Sequence, residues 1–597
     1  MSDYLAPLRD MQFVLRELAP LDALATLPGG DELSLELASA ILEEAGKFAR
    51  GELSPLNVSG DREGARWHDG AVFTARGWRE AYARFVEGGW NALSCDPAHG
   101  GQGLPRLVSA LVEEMWNGAN VSFGLCPMLT RGAIEALELR GSAAQKRMYL
   151  PKMVSGEWTG TMNLTEPQAG SDLAAVRCKA LPQPDGSFRL HGQKIFITYG
   201  EHDLTDNIIH LVLARTPNAP EGVKGISLFV VPKFLVNDDG SLGERNDVHC
   251  VSIEHKLGIH ASPTAVLAFG DKSGPIGWLV GAENRGLETM FIMMNAARFS
   301  VGLEGIGLSE RATQRAVAYA KGRVQGADSG TRSGDKVAII RHPDVRRMLM
   351  LMKSRTEAMR ALACVVALSM DMARGHPDMA TREQQQAFVD LMIPVVKGWS
   401  TESAVEIASL GVQVHGGMGF IEETGAAQHL RDARITPIYE GTTGIQAADL
   451  VGRKIARDGG QAMRAVIGQM RDVASRLARQ DDEALASIAT SLGDGIAALE
   501  RAVQFVVSTY GSDVRQALVG SVPLLELFGI VAGGWQMGRA ALAARQRLAE
   551  GDDTAFHAAK LHTAHFYAHH VLSRASGLSH TVVHGAHGAL AIEDEQI

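Results

Sequence analysis

The order of hydrophobic and polar positions divides the chain into three stretches. From about Leu33 to Gly156, apolar residues recur at helical spacing, as in LASAILEEAGKFAR. From about Glu157 to Gly281, short apolar runs such as NIIHLVLART and GISLFVVP are broken by Gly, Asp and Asn, which is typical of strands. The helical period returns after Asn284 and persists to about Arg574. Helices and strands that are segregated in this way predict an α+β fold that is mostly α.

Length and composition narrow the class of protein. The 597 residues allow about four domains at roughly 150 residues each. A hydrophobic share of 46% and a charged share of 21% exclude a disordered chain. The formal net charge of −10 argues against nucleic-acid binding, because phosphates require a basic surface. The apolar stretches are too short or too interrupted to span a bilayer, so we expect no integral membrane segment.

The cysteines and histidines favour neither disulfides nor a metal site. The five cysteines are far apart and form no CxxC pair, which fits a reducing compartment. The N-terminus shows no apolar signal-peptide segment, so we predict a cytoplasmic protein. His562, His565 and His569 form one helical stripe without nearby Cys, Asp or Glu. We therefore predict a helix surface there and no metal site.

A turn motif, MNLTEPQAGSD, lies where the helical region gives way to strands. Pro167 and Gly170 force a turn that exposes backbone N–H groups beside the hydroxyls of Thr165 and Ser171. Such a loop can hold an anionic or heteroaromatic cofactor edge. On spacing alone, a solvated turn with a capping Ser or Asp explains the motif as well.

A second motif, IYEGTTGIQ, places a carboxylate just before a helix. Thr443 and Gln446 have capping-box spacing, which predicts a helix that begins near Gly444 with Thr443 as its cap. Glu440 would then precede the helix N-terminus. It could act as a general base in an apolar cleft, or be a surface glutamate stabilised by the helix dipole.

Other polar positions are ambiguous by themselves. The Gly-rich segments HGGQGLP and VQVHGGMGF do not follow a strand and open a helix, so a Rossmann or P-loop interpretation is poor. Asn295 and Arg298 share one face of a long helix, and the arginine needs a partner, either a ligand phosphate, a carboxylate or solvent. Arg323 follows at the end of that helix.

Together these motifs resemble the acyl-CoA dehydrogenase family, in order, from about Leu33 to Ile455. EHKLGIHASPTAV and the helical tail are similar to its longer bacterial subgroup, which includes 3-methylmercaptopropionyl-CoA dehydrogenases and fatty acyl-CoA dehydrogenases. The resemblance implies the acyl-CoA dehydrogenase fold with an extra C-terminal helical domain. The expected parts are an N-terminal extension (1–32), an N-terminal helical domain (33–157), a middle β-barrel domain (158–281), a C-terminal four-helix bundle (282–457) and the appended helical domain (458–597).

The resemblance also implies bound FAD. In such a site Thr165 would bond near flavin N5. The Arg323 end of the long helix would hold the diphosphate and adenosine across a subunit interface, which implies a homodimer. The implied cofactor-binding residues are Leu164, Thr165, Phe196, Thr198, Arg323, Gln413, Gly416, Gly417 and Thr442.

The resemblance further implies an acyl-CoA substrate and a catalytic base. The implied substrate-binding residues are Met162, Ser171, Asn295, Arg298 and Gly441. Glu440 matches the base of the family. Some members place the base on the long helix just before the matching arginine, but that position is Ala297 here, which cannot accept a proton.

The implied reaction breaks two C–H bonds of an acyl thioester. Glu440 would take the α-proton while the β-hydrogen leaves as hydride to flavin N5, giving a trans-2-enoyl-CoA in fatty acid β-oxidation. A ribityl hydroxyl and the backbone N–H of Glu440 would stabilise the thioester oxygen. Burial should raise the pKa of Glu440 above about 4.3. Electrons would pass to an electron-transfer flavoprotein.

Three other functions stay open at this point. The subgroup resemblance admits a 3-methylmercaptopropionyl-CoA dehydrogenase, so the acyl group is not determined. Acyl-CoA oxidases share the fold, although the chain ends in AIEDEQI and not in a peroxisomal SKL. A relative of the fold binds DNA, and the acidic balance and the retained Glu440 count against that function.

Overall fold

A computed structural model describes residues 4–270, 272–329 and 334–597, except for the side chain of Asp31. The start of the predicted N-terminal extension, residues 1–3, lies outside the described residues, as do Asp271 of the predicted barrel domain and residues 330–333 of the predicted four-helix bundle. The chain divides into two units. The first comprises Phe48–Pro105 and Ala119–Ser300, and the second comprises Arg106–Gly118, Val301–Ile597 and the described part of Asp3–Lys47.

Helices dominate both ends of the chain. The α-helices are α1 Leu8–Phe13, α2 Leu35–Phe48, α3 Ser54–Glu63, α4 Trp78–Glu87, α5 Arg106–Arg140, α6 Ala143–Ser155, α7 Gly286–Gly322, α8 Pro343–Gly375, α9 Met379–His415, α10 Ala426–Ala433, α11 Thr443–Asp449, α12 Gln461–Ala478, α13 Glu483–Thr509, α14 Val514–Val519, α15 Ser521–Glu550, α16 Thr554–His570, α17 Ala575–His584 and α18 Ala586–Ala591. In the part of the chain that the structure describes, no helix is long and apolar enough to cross a membrane.

Strands are concentrated between α6 and α7, as the sequence pattern predicts. They are β1 Arg66–His68, β2 Ala71–Phe73, β3 Trp158–Asn163, β4 Lys179–Pro182, β5 Phe188–Thr198, β6 Asn207–Ala214, β7 Ser227–Pro232, β8 Phe234–Val236, β9 Leu242–Arg245, β10 Val248–Ile253, β11 Thr264–Phe269, β12 Ile276–Leu279, β13 Val324–Ala327 and β14 Lys336–Ala338.

The core of the first unit is a mixed sheet. Its order is β10-β11-β5-β12-β7-β6-β3, and β4 pairs with β5. Strands β3 and β6 run parallel, while the other pairs are antiparallel. Leu190, Val212, Phe229, Leu267 and Phe269 pack in one buried cluster. Ile197 of β5 belongs to the same cluster, and the predicted cofactor residues Phe196 and Thr198 flank it at the end of the strand.

The hairpin β1–β2 interrupts a region for which the sequence pattern indicated helices. Asp69 and Gly70 connect the two strands, and both have positive φ, 49° and 81°. A pair of such residues matches the right-handed twist of the flanking strands, which is why Asp-Gly favours a two-residue hairpin. The helical assignment is therefore wrong over these residues.

The appended helices pack closely on the bundle helices within the second unit. A Cβ added at Gly529 of α15 would lie 2.2 Å from Cγ of Trp399 on α9, so only glycine allows this approach. The Tyr567 hydroxyl of α16 donates to the carbonyl of Ile530, at 2.9 Å. Most of the apolar segment Pro523–Trp535 is therefore buried against the rest of the second unit.

A buried ionic cluster ties together distant parts of the second unit. Arg360 of α8 bonds to the carboxylates of Glu114, Glu310 and Asp10. Lys560 of α16 contacts Asp10 as well. Burial alone raises the pKa of Asp10, but the charges of Lys560 and Arg360 outweigh burial and hold that pKa well below its usual range. The N-terminal extension, the bundle and the tail thus share one set of compensated charges.

Candidate active site

The turn that is predicted to contact the flavin, residues 164–172, follows β3 in the first unit and is hydrogen-bonded to β5. We call it the flavin turn. The Lys194 ammonium, which is fully buried, donates to the carbonyl of Leu164 and to Oε1 of Glu166, both at 2.9 Å. The Ile195 N–H donates to the carbonyl of Thr165, also at 2.9 Å. Leu164 and Thr165 are therefore fixed beside the middle of β5.

Glu166, the partner of Lys194, is ionised. Burial alone raises its pKa, but the charge and hydrogen bond of Lys194 outweigh burial. The backbone N–H groups of Arg177 and Cys178 also donate to the carboxylate, at 2.8 and 3.0 Å. The pKa of Glu166 is therefore held below its usual range, and the turn rests on a paired charge.

A β-bulge turns Phe196 outward next to this turn. In the β5–β11 ladder, Ile197 pairs with Ala265 and Lys194 with Leu267, so two residues of β5 face one of β11. Phe196 has a φ of 59°, and 59% of its surface is exposed. An exposed aromatic ring in a left-handed conformation is an arrangement found at functional sites. It offers a heteroaromatic cofactor an apolar face beside the turn, so these residues fit a flavin ring.

The other predicted residues of the first unit have mixed exposure. Thr198 lies at the end of β5, opposite Thr264, and Met162 is buried in β3 opposite Leu211. Ser171 is exposed in the turn. Asn295 is also exposed, and its Oδ1 accepts a bond of 3.5 Å from the guanidinium of Arg298, which is buried.

The predicted base, Glu440, lies on a strained turn in the second unit, residues 439–442. We call it the base turn. Glu440 has a φ of 54° and Gly441 a φ of 94°, so two consecutive residues are left-handed. The buried Lys397 donates to the carbonyl of Gly441 at 2.7 Å. The φ of Gly441 favours glycine there, and an added Cβ would also lie 2.4 Å from Nε2 of Gln446. Non-glycine residues persist in this conformation only where their surroundings fix them, as here.

The cap of the following helix differs from the sequence prediction. Helix α11 begins at Thr443, and the hydroxyl of Thr442 accepts a bond from the Ile445 N–H at 3.2 Å. The Thr443 hydroxyl instead donates to Glu402 at 2.6 Å. Thr442 is therefore the cap, and the prediction of Thr443 is wrong by one residue. Thr443 is drawn away from the helix end by a carboxylate of α9.

A carboxyl group of α7 is hydrogen-bonded to a phenol of the base turn. The Tyr439 hydroxyl donates to Oε2 of Glu304, a fully buried residue of α7. Burial raises the pKa of Glu304 to about 8; the Tyr439 hydrogen bond and the charge of Lys397 oppose this rise, and the negative charges of Glu113 and Glu440 add to it. Glu304 is therefore held mainly in its neutral form near pH 7.

The remaining predicted cofactor residues gather at one end of α7 and α9. The rings of Tyr319 and His415 stack at 4.3 Å, which brings these two helix ends together. Arg323 and Gln413 are exposed there. Gly416 and Gly417 face open space, because an added Cβ would meet no other atom within 4 Å. The end therefore exposes the guanidinium of Arg323, which an anionic group can approach.

Sequence reasoning missed the residues that hold these two turns. They are Lys194, Glu166, Lys397, Tyr439 and Glu304. A lysine within an apolar run, as in IPVVKGW, was the available signal, since a buried ammonium needs a partner. Glu304 stands alone among small and apolar residues in GLEGIG, and the same reasoning applies to it.

Family comparisons agree with this geometry along the chain. The acyl-CoA dehydrogenase N-terminal domain matches residues 36–157, the middle domain 161–271 and the C-terminal domain 284–455. The acetyl-CoA dehydrogenase C-terminal-like family matches residues 466–593.

Curated relatives match nearly the whole chain. The chain is 50% identical over 573 residues to 3-methylmercaptopropionyl-CoA dehydrogenase of Ruegeria pomeroyi, covering 96% of this chain and 97% of that protein. It is 36% identical to a butyryl-CoA dehydrogenase of Syntrophomonas wolfei, covering 96% and 95%. The chain therefore belongs to the acyl-CoA dehydrogenase family of flavoprotein oxidoreductases.

A solved structure of similar size shares the fold. Acyl-CoA dehydrogenase of Bacillus anthracis, solved in complex with FAD, matches with a TM-score of 0.73 at 20% identity, covering 98% of this chain and 92% of that chain. The predicted acyl-CoA dehydrogenase fold with an extra C-terminal helical domain is confirmed.

Proposed function

We propose that the protein oxidises an acyl-CoA thioester to the trans-2-enoyl-CoA, with Glu440 as the base that removes the α-proton. The observation that carries this proposal is the turn of Glu440. A carboxylate is held on a left-handed residue, followed by a second left-handed residue whose carbonyl is bonded to a buried lysine. Such strain is maintained where a side chain must be aimed at a reacting atom.

The cofactor is FAD, which accepts the β-hydrogen as hydride when bound. In the first unit, Leu164, Thr165, Phe196 and Thr198 would hold the flavin ring, because the turn supplies polar groups and Phe196 an exposed ring. In the second unit, the end of α7 that carries Arg323 would hold the diphosphate and adenosine of FAD across a subunit interface. That set is Arg323, Gln413, Gly416 and Gly417, together with the cap residue Thr442.

The residues of the chain divide the work of the reaction. Glu440 takes the α-proton, and its backbone N–H donates to the thioester oxygen, which lowers the cost of the developing charge. The buried guanidinium of Arg298 and the exposed amide of Asn295 bind the acyl-CoA. Met162, Ser171 and Gly441 complete the substrate contacts.

Glu440→Gln tests the base directly. The amide keeps the size of the side chain but cannot accept the proton. Flavin reduction by acyl-CoA in stopped flow should fall by at least ~10²–10⁴-fold. FAD content should survive, because the Thr442 cap and the Lys397 bond remain. Arg298→Ala is the matched variant, and it should raise KM more than it lowers kcat. Wild-type reduction rates in Glu440→Gln would refute the assignment.

For the substrate, we propose 3-methylmercaptopropionyl-CoA, because the relative of that name is 50% identical over nearly the whole chain. A straight-chain acyl-CoA of fatty acid β-oxidation is the second candidate, supported by the 36% identical butyryl-CoA dehydrogenase. Anaerobic flavin bleaching by the two thioesters separates them. Faster bleaching by butyryl-CoA would favour the second candidate.

The electron acceptor we propose is an electron-transfer flavoprotein, in a cytoplasmic setting that fits the five free, buried cysteines. Steady hydrogen peroxide formation during turnover would instead identify an oxidase.

We also propose the domain boundaries given by the resemblance, at residues 32, 157, 281 and 457. Limited proteolysis that cleaves near residues 157 and 457 would support them.

We propose a homodimer formed through the end of α7 and α9. Phe420 is 85% exposed there, and Met418 and Ile421 are exposed as well. Apolar side chains grouped near the proposed adenosine site favour a partner surface. Phe420→Ser should shift the mass in sedimentation from dimer towards monomer and release FAD.

Truncation after Ile455 removes the appended helices and tests their role. It should cause aggregation, because it uncovers Trp399.

A further inference from the structure

Within the described ranges of the chain, the buried carboxyl group of Glu304 has a hydrogen-bond partner for only one of its two oxygens. Its Oε2 accepts the Tyr439 hydroxyl, and its Oε1 has no hydrogen-bond partner among the described residues although it is buried. An ionised carboxylate with an unpartnered buried oxygen is costly, whereas the neutral acid avoids most of that cost. The geometry by itself therefore favours a protonated Glu304.

Close packing of the helices brings several ionisable groups to Glu304. A Cβ at Gly305 would lie 2.8 Å from the carbonyl oxygen of Ser400, so α7 and α9 approach closely beside it. The groups that act on Glu304 are Glu113 from α5, Lys397 from α9, and Tyr439 and Glu440 from the turn. Glu113 is itself paired with Arg106, at 2.9 Å. These groups leave Glu304 coupled to the proposed base.

We propose that Glu304 is a positioning residue for Glu440: as a neutral acid it binds the Tyr439 phenol and fixes the residue before the base, and as an anion it strengthens Glu440 as a proton acceptor. This inference rests on the proposed function of Glu440. It adds a second protonation event, in which the proton of Glu304 leaves to solvent before the α-proton is transferred.

The direction of the effect follows from electrostatics. Transfer of the α-proton neutralises the Glu440 carboxylate, and a nearby anion favours the neutral form of that group. The rate of flavin reduction at saturating acyl-CoA should therefore rise as pH increases through the pKa of Glu304, about 8. The Tyr439 phenol stays protonated over this range, because burial raises its pKa well above its usual value and the charges of Glu304 and Glu440 raise it further.

Infrared difference spectroscopy of the holoenzyme reads the protonation state without turnover. Wild type should show a protonated-carboxyl C=O band that is lost with a midpoint near pH 8. The band should be absent in Glu304→Gln. In Glu440→Gln it should persist with a lower midpoint, because the like charge that raised the pKa of Glu304 is gone. A band that persists unchanged in Glu304→Gln, or no band in wild type, would overturn the inference.

Stopped-flow flavin reduction at saturating acyl-CoA provides the second readout. The wild-type limiting rate should rise about 3- to 10-fold across the transition, as expected for a shift of up to one pKa unit in the base. The Glu304→Gln rate should be flat. Tyr439→Phe should keep the rise but move its midpoint upwards, because the phenol bond lowers the pKa of Glu304. Glu288→Gln, an exposed acid on the same helix, should keep the wild-type profile.

Failure of this inference and failure of the proposed base are distinguishable. Wild-type rates in Glu440→Gln would refute the base assignment. If Glu440→Gln is inactive while Glu304→Gln keeps the wild-type pH rise, only the role of Glu304 is refuted. Folding of each variant is checked by its FAD content and melting temperature, and Tyr439→Phe keeps the test decisive if Glu304→Gln fails to fold.

Discussion

The flavin turn in the first unit and the base turn in the second are built alike up to a point. Each is held by a fully buried lysine whose ammonium donates to a backbone carbonyl. The pairs are Lys194 with Leu164, at 2.9 Å, and Lys397 with Gly441, at 2.7 Å. Burying an ammonium for this purpose is costly, and it persists where a backbone must not move.

A functional side chain on a left-handed backbone accompanies each turn. Phe196, in the β5 bulge beside the flavin turn, has a φ of 59°, and Glu440, within the base turn, has a φ of 54°. The two turns differ in the acid beside them. Glu166 is ionised and closes an ion pair with Lys194, whereas Glu304 is neutral and bonded to a phenol. The cofactor turn is therefore insensitive to pH near neutrality, while the base turn retains one group that titrates there.

Breaking the ion pair should have the largest effect. Lys194→Met would leave Glu166 buried without its cation, which costs about 3–5 kcal/mol. The purified variant should lose FAD and melt at a lower temperature, as checked by absorbance and calorimetry. The double variant Lys194→Met/Glu166→Gln should recover part of both, because no unpaired charge is left. A single variant with wild-type FAD content would show that the ion pair is dispensable.

Replacing the corresponding lysine of the base turn, Lys397, should have a smaller effect, and one on the reaction rate and not on FAD binding. Lys397→Met leaves the Gly441 carbonyl without its donor, at a cost of about 1–3 kcal/mol. FAD should stay bound, while the limiting rate of flavin reduction falls by about tenfold, since 1.4 kcal/mol is a factor of ten. If this variant loses FAD as Lys194→Met does, the two turns do not have separate roles.

The difference between the acids predicts a third, smaller effect on stability. The folded state raises the pKa of Glu304 from 4.5 to about 8, so it holds more protons than the unfolded chain in that interval. Stability of the wild type should therefore fall with rising pH from about 4.5 to 8 relative to Glu304→Gln, and then level off. The melting temperatures should diverge by a few degrees across that range. Parallel curves would contradict a neutral Glu304.

The fold and the two turns were predictable from the sequence because their signals are local. The change from helical to strand pattern near Glu157 and the motifs around Thr165 and Glu440 lie within short windows. The sequence pattern does not predict the β1–β2 hairpin, although Asp69 and Gly70 carry its signal, because helical periodicity dominates the residues on either side. This error arises where two local signals compete.

The partners that hold the turns could not be predicted from local patterns. Tyr439 lies 135 residues from Glu304, and Lys397 lies 44 residues from Gly441. No periodicity links such positions, and they meet only because the turn around Glu440 packs against α7 and α9. The helix cap shows the same effect on a small scale, because Glu402 of α9 draws Thr443 away from the role that its spacing predicted.

The most direct test of the account isolates removal of the α-proton from hydride transfer. An acyl-CoA analogue with sulfur in place of the β-carbon can lose its α-proton but has no β-hydrogen to transfer. In deuterated buffer with the FAD-loaded enzyme, mass spectrometry should show that wild type exchanges the α-hydrogens of this analogue. The Glu440→Gln variant should slow the exchange by at least ~10²-fold. Exchange at the wild-type rate in this variant would show that another group removes the proton and would contradict the central role of Glu440.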